Sequence, residues 1–492
     1  MAVFTKIKPQ FYQDSLKLMR VSAEVKETPG IKQAFAFMAT EINKKTRMQA
    51  HLMSDEVKQA KADDLVLLVE CDDNELGKKI LDEFEVKITS SVQAKGDNDE
   101  DEALPATFEQ GAAQLDANLA VISIPGPYAA VQTMLALRNG MNVHLFSDNV
   151  SIEEEIEIKD YAKERGLIVM GPDCGTSIIS GVPICFANVV STGNVGVIGA
   201  SGTGLQEFTV LLDKAGCGIT HAIGVGGRDL SEEVAGRTTL SALELLINDE
   251  STKIIAIVSK PPAQLAGEKI IEAVKKSGKP AVLAFLGAQP YKVSDSTYIV
   301  GTIEEAAAKT VAIVRGQNPD NATVLYERKL LSDKIKAEMG KLSAQAKQVK
   351  GLFTGGTLAS EAKYILKNVS SSIIDLGDDE YTRGSLHPMI DPSNRSQHVS
   401  TAFSDPTTAV LLCDVVIGYG SHQDPAGMLA EDVKKAREES NSNVIVIASV
   451  TGTDKDPQNM LGQVKTLEDA GIFVLPSNQY AAEVAAEIVK QL

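Results

Sequence analysis

Apolar residues along this chain fall into short runs separated by amphipathic stretches that often end in glycine. The runs at 195–198, 219–223, 254–258 and 281–285 are strand-length and almost continuously apolar, as strands covered on both faces are. Between them, 205–215, 240–248 and 266–277 carry helical periodicity, with Gly216 and Gly278 where helix stops are expected. Strand, helix, glycine, strand is the βαβ rhythm. It predicts an α/β protein with several parallel-sheet, three-layer domains.

The rhythm places the boundaries. Residues 111–190 carry strands at 119–124, 142–146 and 167–170, with helices at 129–138 and 153–165. Residues 191–315 form the next domain, and the polar, lysine-rich stretch 316–346 is a helical connector. Residues 347–492 form the last, with strands at 351–353, 373–376, 409–416, 444–449 and 472–474. Residues 1–90 read as a small α/β domain with strands at 3–7, 34–39, 65–69 and 85–88 and helices at 15–27, 45–61 and 75–84. That order is a split β-α-β with an insertion. Residues 91–110, holding the acidic run 96–102, are a linker.

Composition sharpens this picture. A chain of 492 residues accommodates about three or four domains. Aromatics are 5% and tryptophan is absent, so the cores are aliphatic. A net charge of −18 argues against a nucleic-acid partner. It leaves room for a small anion held by backbone N–H groups. Five scattered cysteines give neither a disulfide framework nor zinc spacing. With no signal-peptide pattern and no membrane-length apolar run, the expectation is a cytoplasmic protein without a membrane partner.

The chemistry concentrates in turns that follow predicted strands. Gly199-Ala200-Ser201-Gly202-Thr203-Gly204 leads from a strand into a helix, where glycines admit close approach, hydroxyls donate and helix-entry amides are free. Gly226-Gly227-Arg228-Asp229 ends the next strand; Arg228 suits a carboxylate or phosphate, and Asp229 either orients it or caps a helix. Gly355-Gly356-Thr357 is a third anion candidate. Asp173, Cys174 and Thr176 line a loop in which Cys174 is expected as an exposed thiol. His387 is a candidate general acid or base and Arg383 a carboxylate clamp. His422 and Asp424 are candidates for proton transfer, and Lys455 for neutralising an oxyanion. All three follow strands of the last domain, where open α/β sheets bind ligands. Asp378, Asp379 and Glu380 offer Mg²⁺ ligands but are adjacent rather than spaced, so no metal site is assigned.

As a set, GPDCGTS at 171–177, GVIGASGTG at 196–204, GVGGRDL at 224–230, IIDLGDD at 373–379, HPMIDP at 387–392 and VTGTDKDP at 450–457 resemble the FdrA family. The middle region is also similar to succinyl-CoA synthetase α subunits and NDP-forming acyl-CoA synthetases. That resemblance implies a Rossmann-like CoA-binding domain, then flavodoxin-like ligase domains, with Ser201 to Gly204 in the phosphate-handling region. Those synthetases carry a phosphorylated histidine in a Gly-His-Ala-Gly motif. Here the matching strand runs into Leu286-Gly287-Ala288-Gln289-Pro290, so no covalent carrier is transferred. The FdrA resemblance implies a subunit of a multicomponent carbamoyltransferase acting between oxamate and carbamoyl phosphate in purine and allantoin degradation. Two alternatives stand beside it: an acyl-CoA synthetase subunit, and a non-catalytic ligand-binding or scaffold subunit. The implied ligands are an anionic small molecule and phosphate or carbamoyl phosphate, with CoA and Mg²⁺ admitted. The implied partners are other subunits of a hetero-oligomer and a second copy of the chain.

Overall fold

Why the first strands pair as they do follows from burial in a computed structural model of the chain. The structure describes residues 2–9, 11, 13, 15–26, 28–40, 43–44, 55–61, 63–89, 105, 107–382, 386–440 and 442–492. These form two units, Met1–Ala103 and Leu104–Leu492. In the first, β1 (Ala2–Lys8), α1 (Ser15–Lys26), β2 (Ile31–Met38), β3 (Leu65–Cys71) and α2 (Asn74–Thr89) build an antiparallel sheet of order β1-β3-β2. The central β3 is buried on both faces. Leu65, Leu67 and Val69 meet the helices, while Val66 packs with Phe37, Ala39, Val57 and Ala60.

The strand expected at 85–88 is instead the end of α2. Ile80, Leu81, Phe84 and Ile88 lie on one buried face at helical spacing, and that face overrides the short alternation. Of the helix expected at 45–61, only Asp55–Gln59 is described and helical. Most of the acidic linker lies outside the described residues, and its end enters the helix Phe108–Leu115, capped by Thr107.

The second unit is the α/β array that the periodicity predicts. Strands β4 (Leu119–Ile122), β5 (Asn142–Leu145) and β6 (Val169–Met170) form a small parallel sheet, connected by α3 (Gly126–Arg138) and α4 (Ile152–Glu164). The hairpin β7 (Thr176–Ile179) and β8 (Val182–Cys185) does not join it. It lies on the edge of a second sheet with β9 (Thr192–Gly199), β10 (Ile219–Gly224), β11 (Ile254–Ser259), β12 (Ala281–Phe285), β13 (Tyr291–Ser294) and β14 (Thr297–Val300). The order is β13-β14-β12-β11-β9-β10-β7-β8. Its helices are α5 (Gly202–Lys214), α6 (Arg237–Asn248), α7 (Gln264–Ser277) and α8 (Ile303–Val314).

A third sheet, all parallel, has the order β16-β15-β17-β18-β19. Its strands are β15 (Gln348–Phe353), β16 (Ser371–Asp375), β17 (Thr408–Val416), β18 (Ile445–Thr451) and β19 (Phe473–Leu475). It carries α9 (Gly356–Ile365), α10 (Pro425–Ser440), α11 (Met460–Asp469) and α12 (Asn478–Lys490). One aliphatic core runs from Ile178 to Ile488, including Phe208, Val311, Leu358 and Val484 from α5, α8, α9 and α12. The two large sheets therefore share a central helical layer. Separate cores behind each sheet complete the three-layer arrangement.

Candidate functional site

Helix α5 begins where β9 ends. Ser201 takes extended geometry (φ −152°, ψ 132°) and its hydroxyl accepts from Gly204 N at 3.4 Å, an N-cap. Helix geometry leaves the N–H groups of Gly202 and Thr203 without intrahelical acceptors. Helix α9 enters the same place from β15, and the Ser201 hydroxyl hydrogen-bonds the Thr357 hydroxyl. A Cβ on Gly204 would lie 2.8 Å from Thr357 Cγ2, and one on Gly355 would lie 2.9 Å from the Thr203 side chain. Two helix N-termini from different sheets thus touch because glycine stands at both contacts. Thr176 joins them, its Oγ1 only 2.9 Å from where a Gly202 Cβ would stand, while that hydroxyl donates to Phe186 O at 2.6 Å. The packing of Gly199 against Leu205 completes the turn.

The protein's own carboxylates take backbone amides close to the other two glycine turns, at the α6 entry and just before α9. Asp229, fully buried, accepts from Thr238 N and Thr239 N at 2.9 Å and from Thr239 Oγ1 at 2.7 Å. It also takes Lys159 Nζ at 2.8 Å. Lys159 reaches Glu155 at 2.7 Å, and Arg228 reaches the same Glu155 at 2.9 Å and Val150 O at 2.7 Å. A Cβ on Gly226 (φ +87°) would collide with Pro172 O, which leaves no room for a side chain, and one on Gly227 would lie 3.2 Å from Asp173 Oδ2. The 224–230 turn is therefore docked onto α4 and the 171–174 segment, and Arg228 is paired there. In the third turn, Asp414 accepts from Thr354 N at 2.7 Å and Gly355 N at 2.8 Å. Burial pushes this carboxyl up to about 6, against the donors that hold its charged form. Asp375 Oδ2 crowds Gly356, at 2.5 Å from its Cβ position. Among the described residues, no carboxylate is hydrogen-bonded to the Gly202 or Thr203 amide at the α5 entry.

The acid–base candidates separate. Arg383 lies outside the described residues. His387 sits beside the α9 entry: its Nε2 packs against Gly377, its Nδ1 accepts from Met389 N at 3.2 Å, and its ring lies 6.2 Å from that of Phe186. Burial lowers its pKa, which favours a neutral imidazole. The His422 loop packs on the same segment through His422 N to Met389 O at 2.7 Å. Asp424 accepts from Gly427 N at 3.0 Å and Gln463 Nε2 at 2.8 Å, which makes it a cap for α10. Lys455 bonds Ser191 Oγ at 2.8 Å and lies 3.7 Å from Asp213 in the last turn of α5. At 1.5 Å per residue, Asp213 is roughly 16 Å along the helix from its N-terminus. Asp378 caps its own turn by accepting from Glu380 N at 3.1 Å.

Cys174 corrects the expectation of an exposed thiol. It is buried, 3.9 Å from His144 Nδ1 and 3.8 Å from Ser177 Oγ. Burial pushes the thiol up to about 12 and His144 down to about 4, so both stay neutral. We expect Cys174 to resist iodoacetamide at pH 8 in the folded protein and to react after unfolding, as read by peptide mass spectrometry. Rapid native labelling would contradict this burial.

Sequence reasoning missed Asp414, Asp375 and His144. Asp414 did leave a signal, a single charge within the otherwise uncharged strand Thr408–Val416. Among the described residues no group of three or more His, Cys, Asp or Glu side chains is arranged to hold a metal, and no helix is long and apolar enough to cross a membrane.

Comparison with known proteins agrees with this architecture. Family models match at 352–488 (CoA-ligase), 190–287 (CoA binding domain) and 1–105 (AllF, heavy metal-associated domain). The succinate–CoA ligase [ADP-forming] subunit alpha of Methanothermobacter thermautotrophicus is 24% identical over 238 residues, covering 48% of this chain and 79% of that protein. The subunit alpha 2 of Archaeoglobus fulgidus is 28% identical over 195 residues, covering 38% and 65%. These define the class: a protein with a CoA-binding domain and a CoA-ligase domain. The uncharacterized protein YahF of Escherichia coli is 38% identical over 520 residues, covering 99% of both chains. The chain belongs to the FdrA-like family, related to succinate–CoA ligase α subunits and NDP-forming acyl-CoA synthetases. The expectation of an oxamate carbamoyltransferase in allantoin degradation is overturned by these matches, which lie with CoA ligases.

Proposed function

We propose that this chain is a subunit of an NDP-forming acyl-CoA synthetase, and that the entry of α5 holds the phosphoryl or carboxylate anion of its substrate. One contrast supports this reading most: Asp229 accepts from the amides at the α6 entry and Asp414 from Thr354 N and Gly355 N, while the amides of Gly202 and Thr203 meet no internal carboxylate among the described residues. An anion there would gain two N–H donors, the positive end of α5 and the Ser201 and Thr203 hydroxyls. Small residues suit the site to a phosphate-sized group, and the match to a CoA-binding domain over 190–287 supports CoA as co-substrate. When bound, CoA would supply the thiol that takes the acyl group. Neutral His387, close to the α9 entry, is suited to accept a proton nearby. The turn at 286–290 is closed by Ala288 N to Phe285 O at 2.8 Å and carries no imidazole, so no covalent step is assigned to it. Partner subunits would complete the reaction, and Mg²⁺ would enter with a nucleotide rather than in a preformed carboxylate cage.

Ser201→Asp tests the anion site. Aspartate caps helices as well as serine does, so the melting temperature should hold. Its carboxylate would fill the free amides as Asp414 fills those of Thr354 and Gly355. We expect affinity for inorganic phosphate, by isothermal titration, to fall at least about thirtyfold, or about 2 kcal/mol. Unchanged phosphate binding would remove the site.

A further inference from the structure

Helices α5 and α9 are related by more than their meeting N-termini. Each carries a glutamate six residues beyond its capping position, Glu207 after Ser201 and Glu361 after Gly355. Both are buried, and each reaches into the other sheet's helical layer. Glu207, on a helix of the eight-stranded sheet, accepts from Asn478 N at 3.1 Å, the first residue of α12 in the five-stranded half. Its second oxygen accepts from Thr451 Oγ1 at 2.6 Å, at the end of β18. Glu361, on a helix of the five-stranded sheet, accepts from Ile303 N at 2.7 Å, the first residue of α8 in the eight-stranded half. Its second oxygen accepts from Asn478 Nδ2 at 2.7 Å. Glu207 serves only the opposite half, and Glu361 gives one oxygen to the opposite half and the other to Asn478 in its own. Each fills the helix-entry position of the opposite one, where a carboxylate also meets the positive end of a helix dipole.

We propose that Glu207 and Glu361 are a reciprocal pair of positioning residues that lock the two halves in register and thereby set the approach of the α5 and α9 N-termini. Burial makes the exchange stringent. Removing either carboxylate strands a helix-entry N–H and a second donor away from water. The halves then relax at the contact where glycines alone allow Ser201 to meet Thr357. The register does not depend on what the site binds. Its importance for anion binding rests on the α5 entry being the anion site, as proposed above.

The test uses the full chain with Ser201→Cys and Thr357→Cys, whose side-chain oxygens touch in the parent. Disulfide formation under diamide is followed by mass spectrometry of the 201–357 linked peptide, and inorganic phosphate binding is measured in chains without the two cysteines. Glu207→Ala and Glu361→Ala should each slow cross-linking at least tenfold and weaken phosphate at least tenfold. Glu361→Gln, which keeps the acceptor for Ile303 N, should restore both. Leu366→Ala, a fully buried core truncation at the end of α9, should lower the melting temperature comparably without slowing the cross-link. Unaltered cross-linking in both alanine variants overturns the proposal. So does slowing in Leu366→Ala equal to that in the glutamate variants. A parent that binds no phosphate overturns the anion-site reading alone, and the cross-linking rates still decide the clamp.

Discussion

Asp229→Ala is expected to lower the stability of the second unit by about 3–5 kcal/mol, the cost of breaking a buried ion pair from one side. The four charges of this cluster balance: Asp229 and Glu155 face Lys159 and Arg228. Lys159, Glu155 and Asp229 have side chains 1% exposed or less, so water cannot replace a lost partner. Alanine leaves two cations to share one carboxylate. It also strands Thr238 N and Thr239 N at the start of α6, together with the Thr239 hydroxyl. Asp229→Asn should cost less, since its carbonyl still serves one of these donors. Urea denaturation at pH 7 measures the difference, and a loss under about 1 kcal/mol for alanine would show that the cluster does not hold α4 to the 224–230 turn.

That cluster also shows what the sequence could disclose. The strands of the large sheets were legible because buried parallel strands are uninterrupted apolar runs. The run at 254–258 is the strand Ile254–Ser259, and that at 281–285 is Ala281–Phe285. Their glycine turns were legible for the same reason, since an apolar run stopping at small residues marks a sheet edge. What fills each turn was not. Asp414 comes from a strand sixty residues beyond Thr354, and Lys159 from a helix seventy residues before Asp229. Arg228 looked like a ligand clamp because arginine after two glycines suits an anion, yet its partners Glu155 and Val150 lie in the preceding small sheet's connections. Cys174 looked exposed because it follows a strand, but the hairpin behind it folds onto β10 and closes it over. The contact between Ser201 and Thr357 was equally hidden, because it needs two sheets to share one helical layer.

Glu361 gives the second large effect, and it depends on pH. Burial pushes its carboxyl up to about 7, over the opposing hydrogen bonds from Ile303 N and Asn478 Nδ2, and the charges of Glu207 and Glu304 add to the rise. A folded pKa above the unfolded value of about 4.3 means that the protonated form favours folding. That contribution is complete below about pH 4.3 and is lost as pH climbs through about 7. With 1.36 kcal/mol per pKa unit, the swing is about 3–4 kcal/mol. Glutamine cannot ionise, so the stability of Glu361→Gln relative to the parent should rise by about that amount between pH 4.5 and pH 8. The fixed offset from any altered hydrogen bond to Asn478 cancels in this comparison. Protonation has somewhere to go: Asn478 Oδ1 is buried without a partner, so an amide turned about its axis would present an acceptor to a Glu361 hydroxyl. Urea denaturation of both proteins at half-unit pH steps reads the difference directly. A flat difference across that window would mean that Glu361 stays charged throughout, held by the α8 entry strongly enough to outweigh its burial.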